Sequence, residues 1–208
     1  MKTLSKENLN QMANEMPSYE PISTEGRIYI RQDGTLVNNE YKFTGKETHV
    51  VVMPGNASGN NTGIAIEIPQ GMQCELKKGP NVNGEEKEWL IFDNTESGSK
   101  KIFNKEVAFF KELAHLTDVE WALATNSKSG GGKLFTSFSS SGADASPAYS
   151  GGYDRFYHNH VSGARDSLGR PLPLNDYDRD NCHNLTSKYD YEFFIIYTEE
   201  NKDEVYYW

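Results

Sequence analysis

A chain of 208 residues with 21 basic and 30 acidic side chains carries a net charge of −9. Such a surface repels phosphate backbones and anionic lipid, and no local basic cluster offsets it, so nucleic acid is not an expected partner. Mean hydropathy is −0.72 and no run approaches the ~20 apolar residues of a membrane span, yet aromatics reach 12% of the chain, enough to bury a core and exclude wholesale disorder.

The length suits one domain, or one domain with a large extension. The opening MKTLSKENLNQMANEMP has no apolar core of a Sec signal peptide, so synthesis in the cytosol is expected, with any export by another route. Leu4, Leu9, Met12 and Met16 mark a short amphipathic helix that Pro17 and Pro21 end. RIYIRQDGTLVN (27–38) reads as a β-hairpin turning at Asp33-Gly34. THVVVMPG (48–55) and IAIEIPQG (64–71) read as strands, GNASGNNTG (55–63) and KKGPNVNGEEKE (77–88) as polar loops, and WLIF (89–92) as a brief apolar segment.

Val107, Phe110, Leu113, Ala114 and Leu116 favour a helix, or an irregular apolar segment, to about 117. VEWALAT (119–125) is then a strand with Val119, Trp121 and Leu123 on one face and Glu120, Ala122 and Ala124 on the other. A glycine-rich turn leads into a strand of Leu134, Thr136 and Phe138, and YDRFYHNH (153–160) is a strand ending at two histidines. A proline-rich approach precedes a short helix with Asn175 as candidate N-cap. YEFFIIYT (191–198) is a buried strand and EVYYW (204–208) a closing one. The softest division lies near residue 100: a β-rich region at 1–100, packed on the core rather than independent, and an α/β part at 101–208.

Several motifs fail on inspection. SKSGGGKL (127–134) lacks both the first glycine of a phosphate loop and the hydroxyl after Lys133, where Leu134 stands. Cys74 and Cys182 are the only cysteines, far apart and outside any CxxC pair, so they form no cysteine zinc site and are expected as thiols rather than a disulfide.

One constellation survives. His158 and His160 stand at i and i+2, so on a strand both imidazoles share a face about 7 Å apart at the backbone. Downstream, Asp176, Asp178 and Asp180 cluster at the expected helix start, where any of them could add an oxygen ligand. Three protein ligands and one open position are the arrangement of a catalytic zinc. Glu120, set between apolar neighbours on the polar face of its strand, is a candidate general base.

A strand glutamate, H-x-H at a strand end, an aspartate at a helix start and an aromatic-rich strand follow in the order of the JAMM/MPN (JAB domain) metalloproteases, whose signature is E…H-x-H-P-x6-S-x2-D. The segments TDVEWALATN, GKLFTSFSSS, DRFYHNHVSG, PLPLNDYD, YEFFIIYT and VYYW resemble more closely the JAB-like toxin domains of bacterial polymorphic and Rhs-associated proteins. The resemblance covers 104–208, with a weaker likeness at 27–53. It implies a mixed α/β fold of the JAB/MPN (cytidine-deaminase-like) kind, a β-sheet flanked by helices, with a β-rich N-terminal extension. It also implies a Zn2+ peptidase or isopeptidase with Glu120 as general acid/base and His158, His160 and Asp178 as metal ligands. Asn175 then takes the place of the signature's oxyanion-assisting serine; Asp176 is the next choice of ligand and Asp180 the third.

The implied setting is a bacterial toxin or effector of bacterial competition, made without a Sec signal and exported through a specialised secretion system. It would act on a protein or peptide and be met by a cognate immunity protein. The chain departs from the signature in three ways: Val161 replaces the proline, seven extra residues separate His160 from Asp178, and the serine is missing. These departures keep open a second reading, a non-catalytic MPN-like scaffold or interaction module.

Overall fold

The computed structural model describes residues 26–37, 43–54, 63–81, 83–96, 98–138, 144–149, 152–160, 176–189, 191–197 and 203–206. The expected helix at 4–16, the loop 55–62 and Asn175 lie outside them. The described residues form a mixed α/β fold with two helices and two sheets of mixed strand orientation. Its strands are β1 (Arg27–Arg31), β2 (His49–Met53), β3 (Ile64–Glu67), β4 (Met72–Pro80), β5 (Glu86–Asn94), β6 (Ala122–Thr125), β7 (Lys133–Thr136), β8 (Arg155–Asn159), β9 (Phe193–Tyr197) and β10 (Asp203–Tyr206). Helix α1 is Lys100–Leu116 and α2 is Asp176–Lys188, with a 3-10 turn at Ser146–Ala148. Among the described residues no helix is long and apolar enough to cross a membrane.

Alternation along the strands builds three layers. The large sheet has the order β10-β9-β8-β6-β7-β5-β4. Leu90, Phe92, Trp121, Leu123, Tyr157 and Ile195 face a core shared with Phe109, Phe110 and Leu113 of α1 and with Ile28, Ile30, Val50 and Val52 of the small sheet β1-β2-β3. Their sequence neighbours Ile91, Ala122, Ala124, Phe156 and Phe194 face the opposite core, closed by Ala145 and Ala148 beside the 3-10 turn and by Cys182 and Leu185 of α2. Both cysteines are free and buried. Because β5 pairs with β7, the large sheet spans the division near residue 100.

Two segments differ from their sequence reading. Residues 77–88 are not a loop: β4 and β5 form a hairpin paired from Met72↔Asn94 to Pro80↔Glu86, with Asn81 closing its turn by accepting from Asn83 N and Glu85 N at 2.9 Å. Its outer half projects past the core, so both faces are polar, and Lys78–Glu88 at 3.2 Å replaces apolar alternation across the strands. The hairpin at 27–38 keeps its turn and, among the described residues, an antiparallel return through the bridge Ile30↔Leu36 and the Val37 N to Tyr29 O bond at 3.0 Å, but β1 also takes β2 as a parallel partner. The valines of β2 bury more apolar surface beside β1 than the polar return strand could. Gly34 still makes the turn at φ +80, and a Cβ there would meet Val119 Cγ1 at 2.7 Å, so the turn packs directly under the segment that carries Glu120.

The glycine-rich turn before β7 is filled from within. Glu106 of α1 is fully buried, and its Oε1 accepts from Gly131 N at 3.0 Å, Gly132 N at 2.8 Å and Asn94 Nδ2 at 3.0 Å. Thr125 Oγ1 donates to its Oε2 at 2.6 Å. The backbone amides that suggest a phosphate cradle therefore hold a side-chain carboxylate. A Cβ at Gly130, where φ is +67, would meet Ile102 Cγ2 at 2.6 Å, because α1 presses on the turn.

Candidate metal centre

Strand β8, helix α2 and strand β9 form a β-α-β unit, since β8 and β9 are parallel neighbours. In such a unit the carboxyl end of the first strand opens toward the amino end of the crossover helix, where ligands of open sheets gather. His158 lies at that end of β8, His160 follows it, and Asp178 stands in the first turn of α2. An aspartate is favoured there by the helix dipole as well. The helix phase explains which aspartate faces inward: Asp178 precedes the buried Cys182 and Leu185 by four and seven residues, on one stripe, and is itself buried. Asp180 points outward and is exposed, as is His183. The side chain of Asp176 is outside the described residues.

The three inward groups converge, with ligand atoms all within 4.8 Å of one another. His158 Nε2 lies 2.8 Å from His160 Nε2. Asp178 Oδ1 is 3.2 Å from His158 Nε2, and its Oδ2 is 3.4 Å from His160 Nε2. The set brings two imidazole nitrogens and a carboxylate together, the donor chemistry of a nitrogen- and oxygen-ligated metal site.

Burial pushes His158 below the usual imidazole value, outweighing the hydrogen bond and charge of Asp178, and the neighbouring His160 lowers it further. His158 is thus the ring held neutral, as a metal ligand must be. Burial also depresses His160, but the hydrogen bond to Asp178 and the charges of Asp178 and Glu120 outweigh it, so its pKa is raised. Burial alone would raise the Asp178 carboxyl; the hydrogen bonds and charges of the two histidines hold it well below the usual range. Phe194 packs edge-on against His158, with centroids 5.1 Å apart. The far nitrogen of that ring, Nδ1, is buried with no hydrogen-bond partner among the described residues.

Glu120 is 7% exposed and stands outside the converging trio, close enough for its charge to act on His160. The pairing Ala122↔His158, continued by two residues along each chain segment, sets Glu120 opposite His160. Regular β6 begins only at Ala122, not at Val119. The stretch before it is held by side chains that the sequence reading passed over: Asn159, Thr136 and Thr117. Position 159 carried a signal, because it shares the apolar face of Tyr157, where a buried asparagine needs partners.

Comparison of the chain with protein-family models, with curated proteins and with solved structures finds no match.

Proposed function

We propose that this chain is a zinc-dependent hydrolase of the JAMM type, cutting a peptide or isopeptide bond. The observation that carries the reading is the convergence of His158, His160 and Asp178, with Glu120 nearby on the segment that leads into the neighbouring strand. This is a catalytic rather than a structural ligand set, with three protein donors. When bound, a zinc ion supplies Lewis acidity, polarising a carbonyl and making water a stronger acid.

The chain's own groups do the rest. His158 and His160 would hold the ion through imidazole nitrogens, and Asp178 through a carboxylate oxygen. Glu120 accepts the proton of the attacking water and returns it to the leaving amine. The resemblance to bacterial toxin domains favours an exported effector acting on a protein substrate and countered by an immunity protein, and the net charge of −9 disfavours a nucleic-acid substrate.

Purified protein exchanged into zinc should hold one ion per chain by elemental analysis. Glu120→Gln should keep that ion and lose hydrolysis of a peptide substrate; full turnover in this variant removes Glu120 from its role. One observation favours the second reading, a scaffold of the same fold. Ligating histidines ordinarily donate their other ring nitrogen to a partner that fixes the ring, and His158 Nδ1 has none among the described residues. On that reading His158→Ala folds normally and leaves the biological effect intact.

A further inference from the structure

We propose that Asn159, the middle residue of the H-N-H stretch, is a positioning residue for Glu120; this rests on the metal-site reading above. Alternation along β8 turns Asn159 away from the histidines, toward the segment before β6. There its amide makes two bonds that bracket residue 120. Oδ1 accepts from Trp121 N at 2.7 Å, and Nδ2 donates to Val119 O at 3.3 Å. The backbone N of Asn159 donates to Trp121 O at 3.2 Å.

The groups on both sides of Glu120 are therefore gripped by one planar side chain, which replaces the ladder that β6 lacks before Ala122. Two further bonds complete the collar. Thr136 Oγ1 donates to Glu120 O at 2.7 Å, and Trp121 Nε1 donates to Thr117 Oγ1 at 2.8 Å.

Only asparagine meets this geometry. A short planar amide offers an acceptor and a donor side by side. Aspartate would keep the bond from Trp121 N but oppose a carboxylate oxygen to Val119 O. Glutamine carries an extra methylene into a site that is 3% exposed. Because Asn159 is covalently tied to both histidines, the same residue sets the distance between the metal-holding strand and the proton-accepting carboxylate.

The test uses cobalt(II) as the probe, added to chelator-stripped protein and followed by visible absorption across a pH series. Asn159→Ala should still bind one cobalt, weakened less than the ~10–100-fold seen when a hydrogen-bond partner of a metal ligand is removed. The pH midpoint of its absorption band should move in the direction, and by about the extent, that Glu120→Gln moves it. The double variant should move it no further.

A parent-like midpoint in Asn159→Ala beside a shifted one in Glu120→Gln overturns the proposal. So does loss of cobalt from a folded Asn159→Ala, which would place its action on the histidines. If Asn159→Ala does not fold, Asn159→Asp is read instead: a partial shift supports the role and an unmoved midpoint refutes it. Failure of the underlying reading looks different: the parent binds no cobalt, or Glu120→Gln leaves the midpoint where it was. Either result removes the positioning role along with it.

Discussion

Glu106 and Asp178 are buried carboxylates on opposite faces of the same sheet. Glu106 receives four hydrogen bonds, from two backbone amides, an asparagine and a threonine, all neutral donors fixed by the fold. Asp178 meets two imidazole nitrogens that also face each other. The first carboxylate is satisfied by donors that tie a strand end, a turn and a neighbouring strand to α1. The second belongs to a set whose lone pairs converge. A buried polar network that closes on itself ties elements together; one that gathers acceptors and basic nitrogens around a point could hold a metal ion.

Removing Glu106 should be the most damaging way to break this contrast. Glu106→Ala strands the amides of Gly131 and Gly132 together with Asn94 and Thr125, and should destabilise the chain by about 3–5 kcal/mol in urea denaturation. A loss below about 1 kcal/mol would mean that water replaces the carboxylate freely. On the other face the largest effect comes from adding something. Zinc at a hundred times its dissociation constant should stabilise the parent by about 2.7 kcal/mol, and Asp178→Ala by much less at the same zinc concentration. Equal thermal shifts in the two proteins would deny Asp178 a place in the site.

That stabilisation should depend on pH in a definite direction. The raised pKa of His160 means that this ring keeps its proton to a higher pH than a free imidazole does. Zinc must displace the proton, so its affinity should fall as pH drops, beginning above the ordinary histidine value of about 6.5. Zinc titrations at several pH values between 6 and 8 on the scale of that value check this; a flat profile would exclude His160 as a ligand. The smallest effect should come from Asp180→Asn, on the exposed side of α2. Stability should change by no more than about 0.5 kcal/mol and bound zinc not at all.

The contrast also shows what a single sequence can reveal. Strand β3 was legible from its alternation, β2 and β6 to β9 as short, largely apolar runs between turn signals, and α1 as a helix or an irregular apolar segment from its spaced apolar residues. The H-x-H pair was legible because two ligands two apart on a strand need no knowledge of the rest of the fold. The outer half of the β4–β5 hairpin was hidden because it leaves the core and loses its alternation. The parallel pairing of β1 with β2 was hidden because partner choice is a property of distant segments. Glu106 looked like one more charge on a helix: its donors arrive from a strand end, a neighbouring strand and a turn that meet only in three dimensions. Asp178 was separable from Asp180 by helix phase alone, since Cys182 and Leu185 mark the inward stripe. Asn159 was readable only as an anomaly, a polar residue in a core position between two more conspicuous neighbours.

The three proposed ligands all come from one short stretch of chain, from the end of β8 to the first turn of α2, whereas the segment that carries Glu120 is tied to them by hydrogen bonds from β7 and β8. Loading and competence are therefore separate properties of the molecule. On the proposed zinc-hydrolase reading, a preparation would carry its full complement of zinc and still be inert if the contacts that align β6 with β8 had slipped. Metal content alone is then a poor measure of how much of a sample is able to react.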